Sequence, residues 1–96
     1  MKPDIAIRVR FKTPEEGGRK MPIRGDIYSC PMFVDGAGFE CRLLLAGTRI
    51  SLGEDYTFDV KFMNRDLVLP RLHEHKKISL WEGKIIADGE VLRIYP

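Results

Sequence analysis

The 96-residue chain has no apolar run near the ~20 residues that a membrane-spanning helix requires. It also lacks the opening of a secretory leader, because Lys2, Pro3 and Asp4 lead directly into alternating residues. A cytoplasmic protein with no membrane partner is therefore expected. Cysteine is scarce: Cys30 and Cys41 are the only two, and they are not spaced as C-x-x-C. A reducing compartment keeps both as thiols, and both fall on an apolar strand face, which suits small buried hydrophobes. A cross-strand disulfide or redox pair is the alternative. Metal ligands are few as well. On a strand, His73 and His75 of His73-Glu74-His75 would share a face, but zinc normally takes three or four ligands and none lies nearby. They read as exposed loop histidines.

Catalytic and nucleotide-binding signatures are missing too. Gly17-Gly18-Arg19-Lys20 has neither the spacing nor the terminal hydroxyl of a phosphate-binding loop. Asn64-Arg65-Asp66 lacks the lysine and the spacing of a guanine-recognition motif and reads as a loop. Glu15 and Glu16 could work with Glu82 as paired carboxylates only if the fold joined them, and no sequence feature indicates that. No enzyme, metal or cofactor is expected.

What the chain does have is alternation. A hydrophobic content of 44% suits one domain spanning residues 1–96, with a modest core for its size. Ile5, Ile7, Val9 and Phe11 face one way, while Arg8, Arg10 and Lys12 face the other. Tyr28, Cys30, Met32 and Val34 form a second such set, and Phe39, Cys41, Leu43 and Leu45 a third. Asp35-Gly36 between them is a short hairpin signal. A turn there pairs Cys30 with Cys41 and Met32 with Phe39; a turn at Gly36-Ala37 shifts the register by two without changing the face. Tyr56, Phe58, Val60 and Phe62 follow the turn Leu52-Gly53-Glu54-Asp55, and Ile78 with Leu80 begins a fifth strand. Ile85-Ile86 and Val91 to Tyr95 supply the last pairing, with Asp88-Gly89 as a turn or bulge between them. Five or six one-faced strands without a credible helix imply an all-β fold, a small antiparallel barrel whose closure removes exposed edges. Its interior should hold Ile7, Val9, Tyr28, Cys30, Met32, Cys41, Leu43, Phe58, Val60 and Phe62.

Charge is nearly balanced at +2, but residues 1–24 carry seven basic residues against three acidic ones. Such a patch can gather phosphates or acidic protein surfaces, although a solvated strand face is the commoner explanation. Two strand-boundary loops share a composition: Glu15-Glu16-Gly17-Gly18-Arg19 and Trp81-Glu82-Gly83-Lys84. Glycine there permits positive φ or close backbone approach, and the base can reach a phosphate or carboxylate.

These stretches carry a resemblance. PEEGGRKMPIRGD followed by a strand is similar to K-E-E-G-G-R-H-x-P at the start of the C-terminal barrel domain of bacterial elongation factor Tu. Leu52-Gly53-Glu54-Asp55 with the strand after it resembles that family's M-x-P-G-D and its following strand. ISLWEGKIIADG resembles the closing F-A-I-R-E-G-G-R-T-V-G-A-G. The likeness runs from about Ile5 to Ile94 and implies a six-stranded antiparallel barrel. It also implies contacts with a GTPase domain, an exchange factor and the T stem of aminoacyl-tRNA. The GTPase and middle domains have no counterpart here, so GTP binding is not expected.

Of the family's tRNA contacts only Glu82-Gly83 match. Ser29 stands near a glutamine position, the turn shortens to Asp35-Gly36, the closing motif is one glycine short, and Trp81 replaces an arginine. A tryptophan beside such a loop suits either the core or, if exposed, a protein interface. The resulting expectation is a non-catalytic module that binds a protein, as a translation-factor mimic or competitor. Its binding residues would be Glu16, Gly17, Gly18, Arg19, Lys20, Arg24, Trp81, Glu82, Gly83 and Lys84, with Arg19 and Lys20 largely exposed. The alternative is a tRNA- or other RNA-binding module using the basic first strand and the EEGGRK loop.

Overall fold

Alternation becomes six strands in the computed structural model, which describes residues Met1–Pro96. These are β1 (Ile5–Phe11), β2 (Ile27–Val34), β3 (Ala37–Leu44), β4 (Asp55–Phe62), β5 (Lys77–Trp81) and β6 (Ile85–Ile94). A single helical turn, α1 (Arg65–Val68), and two short 3-10 turns, Pro14–Glu16 and Leu69–Arg71, complete the chain. The strands close in the order β1-β4-β3-β2-β5-β6, with β6 returning to β1 and every pairing antiparallel.

The β2–β3 hairpin turns at Asp35-Gly36. Both residues have positive φ, 50° and 82°, the combination that matches a two-residue turn to strand twist. This register sets Cys30 opposite Cys41 and Met32 opposite Phe39. Both thiols are free and buried, and Cys41 Sγ lies 3.3 Å from the Cys30 carbonyl. Hydrogen bonding to the neighbouring Cys30 side chain, and then burial, raise the Cys41 pKa well above the ordinary thiol range.

The inward series fills the barrel as alternation requires. Ile7, Val9, Cys30, Met32, Cys41, Leu43, Phe58, Val60 and Phe62 are all buried. Tyr28 departs from the expectation. It lies at the start of β2, where the barrel end opens, so its ring is half-buried against Phe11 and its hydroxyl points outward to Glu82. Phe39 is also only partly buried, with the Arg71 guanidinium 5.4 Å over its ring.

The last strand differs from the expected pairing. Ile85–Ile94 is one continuous strand, and Asp88-Gly89 is neither its turn nor its bulge. The register instead slips further along: Ala6 faces Arg93 while Ile7 faces Val91, which leaves Leu92 as the extra residue. Gly89 has a different task. A Cβ there would lie 2.1 Å from the carbonyl oxygen of Arg8, so β1 and β6 approach too closely at that point for any side chain.

One charged residue lies inside, and alternation did not mark it. Asp4 is 3% exposed. Its carboxylate accepts the Phe62 backbone N–H at 2.8 Å and sits 3.2 Å from both Lys61 Nζ and Arg65 Nε. A buried carboxylate is tolerable only with such compensation. The knot ties the chain before β1 to the end of β4 and the start of α1.

Candidate functional site

Barrel closure is weakest between β2 and β5. Only Met32–Leu80 and Phe33–Ser79 pair across that seam, against eight pairs between β2 and β3. Beyond the two pairs the strands diverge, and side chains bridge the gap. Arg19 leaves the first loop and donates from Nη1 to Glu82 at 2.5 Å and to the Tyr28 hydroxyl at 3.3 Å. Its Nε reaches the Met21 carbonyl at 3.2 Å, and its guanidinium lies 5.6 Å over the Tyr28 ring. The Tyr28 hydroxyl donates to the same Glu82 oxygen. Burial, and next the bond to Glu82, push the Tyr28 pKa upward.

The two glycine loops therefore meet, although 63 residues separate Arg19 from Glu82. This corrects the expectation that Arg19 is largely exposed. Its side chain keeps 22% exposure because the Glu82 carboxylate draws it down against the barrel. Lys20 is exposed as expected, and it forms no ion pair. Arg19, Lys20, Met21, Glu82, Lys84 and Ile86 line a shallow cleft of about 160 Å³ between the loops.

Glu16, Gly17 and Gly18 shape the first loop from behind. Glu16 Oε1 accepts the Thr13 backbone N–H at 2.9 Å, and the carboxylate takes both Arg10 terminal nitrogens, at 2.9 and 3.2 Å. Gly17 turns the chain at φ 90°. Gly18 has no positive φ. It is required instead because a Cβ would lie 2.2 Å from the Lys12 carbonyl oxygen. The second loop is tighter: Glu82 N–H donates to the Lys84 carbonyl at 2.8 Å, and Gly83 bends at φ 72°. Trp81, just before it, is 38% exposed and stacks on Phe33 with ring centres 6.0 Å apart. Arg24 is exposed and unpaired, and it does not line the cleft.

The Arg10–Glu16 pair makes acid behaviour testable. Hydrogen bonding to Arg10, and then to the Thr13 N–H, lowers Glu16 from 4.5 to about 2. A folded pKa below the unfolded one stabilises above pH 4.5 and loses that contribution as pH falls toward 2. Glu16→Gln should therefore show a smaller decline in Tm across this window than the wild type. Equal declines, or a carboxyl resonance titrating at the ordinary value, would contradict the pairing.

The basic first strand is largely neutralised. Arg8 pairs with Glu90 at 3.0 Å and Asp55 at 3.7 Å, Arg10 with Glu16 at 2.9 Å, and Lys12 with Asp88 at 4.0 Å. Glu15 and Glu16 do not meet Glu82, because Arg10 holds Glu16 and Arg19 holds Glu82. His73 and His75 are exposed, and no three His, Cys, Asp or Glu side chains gather in a metal-binding group. Sequence reasoning missed Tyr28 as a site residue, since its alternation placed it in the core. No helix is long and apolar enough to cross a membrane. The chain matches no protein-family model and no curated protein sequence.

Proposed function

We propose that this barrel is a non-catalytic binding module that docks another protein at the cleft between its two glycine loops. The observation that carries the reading is the distribution of free charge and apolar surface. The cations of β1 are already paired with acids of the same molecule. At the cleft, by contrast, Lys20 and Lys84 are unpaired, and they flank an Arg19–Glu82 pair that is neutral overall. Exposed Met21 adjoins them, and the Trp81–Phe33 stack stands at the end of β5 that leads into the second loop. Adaptable methionine, an exposed tryptophan and a few rim cations are the composition of a protein-binding patch.

The likeness of PEEGGRK and WEGK to loops of the elongation factor Tu barrel extends the proposal to a translation-factor mimic or competitor, acting in the cytoplasm of a bacterial cell. An RNA reading draws on the same Lys20 and Lys84. Its stacking platforms are few, since Phe58 and Phe62 are buried and Trp81 is partly covered by Phe33. Affinity capture with and without nuclease separates the two. The expected result is a protein retained after nuclease by the wild type and weakened severalfold by Trp81→Ala. Loss of all capture after nuclease would favour RNA.

A further inference from the structure

We propose a second binding site, on the β3–β4 seam, for an anionic group carried on an apolar body, the anion being a carboxylate or a phosphate. In the barrel order this seam lies opposite the β5–β6 seam that carries the Trp81–Lys84 loop, so the site is distinct from the cleft above. It stands or falls independently of the protein-docking proposal.

The observation is a pair of like charges placed face to face. Arg42 on β3 is directly opposite Lys61 on β4, and Ser29 on β2 is opposite Arg42 on its other side. The outer surface thus presents a hydroxyl, a guanidinium and an ammonium in one row across three strands. Directly opposed like charges disfavour a sheet; Lys61 is accounted for by buried Asp4, but no ion pair or side-chain hydrogen bond accounts for Arg42. Arg42 is exposed and forms no ion pair. Lys61 is 3.2 Å from Asp4, but Asp4 is shared with Arg65 at the same distance. One buried carboxylate therefore serves two cations, and Arg42 adds a third. Two further acids share this face: Glu40 precedes Arg42 by two residues on β3, and Asp59 precedes Lys61 by two on β4, where it accepts the Tyr95 hydroxyl. None of these acids lines the larger cleft at the row, whose charged side chains are Arg42 and Lys61.

The space around the row has the right form. Met1, Arg42, Lys61, Phe62 and Met63 line a cleft of about 360 Å³. A smaller one of about 90 Å³ adjoins it, lined by Ser29, Glu40, Cys41, Arg42 and Met63. Arg42 and Met63 belong to both. Small-ligand sites typically offer ~300–1,000 Å³ of mostly apolar wall with a few placed polar groups. Here Met1 and Met63, 64% and 75% exposed, are flexible apolar walls that can close on a ligand's body. The Arg42 fork suits two oxygens of one carboxylate or phosphate, and the Lys61 ammonium lies on the neighbouring strand to share the charge.

The test is an amide NMR titration of the whole chain with hexyl phosphate, hexanoate, inorganic phosphate and, as a neutral control, hexanol. Saturable shifts centred on Ser29, Arg42, Lys61 and Met63 are expected with the anionic hexyl probes and not with hexanol. Arg42→Gln should weaken that binding at least tenfold without lowering Tm, since Arg42 holds nothing in the fold. Tighter binding of hexyl phosphate would assign the site to phosphates and tighter binding of hexanoate to carboxylates; either supports it. Absence of saturable shifts at these residues, equal binding by hexanol, or unchanged binding by Arg42→Gln would overturn it. Should Arg42→Gln fold poorly, competition decides within the wild type. Inorganic phosphate must then displace the hexyl anion from the same amides, and failure to do so overturns the site.

Discussion

Gly89→Ala is expected to destabilise the barrel by about 3 kcal/mol or more, far beyond an ordinary glycine substitution in a strand. The added Cβ would lie 2.1 Å from the Arg8 carbonyl oxygen and 3.1 Å from the Val9 Cα. Both are backbone atoms, so no flexible side chain can move aside. The two strands are held on either side, by the Arg8–Glu90 and Arg10–Asp88 pairings and by the 3.0 Å Arg8–Glu90 ion pair. Separating them would break ladder bonds at the barrel's longest strand. Overpacking typically costs about 1–3 kcal/mol where side chains can rearrange; backbone against backbone exceeds that. For a domain of this size the loss corresponds to a fall in Tm of roughly 12 °C or more. Gly83→Ala is the control, because its Cβ meets nothing within 4 Å and only its φ of 72° resists alanine. That strain is about 1–2 kcal/mol. Equal losses at the two positions would mean that the close approach does not exist.

Phe58→Ala should cost ~3–5 kcal/mol in urea denaturation. Phe58 is 6% exposed, faces Ile7 across the β1–β4 seam, and stacks on Tyr56 with ring centres 5.6 Å apart. Deleting the ring removes its burial and leaves a cavity that flanking strands in a closed barrel cannot fill. Phe58→Leu, which retains most of the volume, should recover most of the loss. A cost below about 1 kcal/mol for the alanine variant would place Phe58 outside the core.

Local pattern carried most of the fold. Alternation identified the inward faces of the first five strands but left the β2–β3 register open between two turns, which the positive φ values of Asp35 and Gly36 decide. Pattern failed where distant backbone segments impose the constraint. Asp88-Gly89 looks like punctuation in the sequence, yet its glycine answers to Arg8, some eighty residues earlier. Gly18 is similar, held to glycine by Lys12 and not by positive φ. Asp4 precedes the first strand and reads as a surface charge until Lys61, Arg65 and the Phe62 N–H surround it.

The candidate site was legible in composition and not in geometry. EEGGRK and WEGK stood out as similar loops, but no local signal shows that Arg19 spends its charge on Glu82. That pairing follows from the short β2–β5 seam, a property of barrel closure. Tyr28 joins them because its position near the barrel end turns a core-facing residue into a bridging one. The free charges left at the cleft are Lys20 and Lys84, which makes them better targets than Arg19 for testing recognition.

The most direct measurement is the affinity of the nuclease-resistant partner for the wild type and for Lys20→Ala/Lys84→Ala, at two salt concentrations. Docking of a protein at the cleft predicts a severalfold loss in the double variant with unchanged Tm, and a weak salt dependence expressed mainly in the association rate. A log–log salt slope of about −0.7 for each phosphate neutralised would instead mark an RNA ligand. Unchanged affinity in the double variant would remove the cleft from recognition altogether.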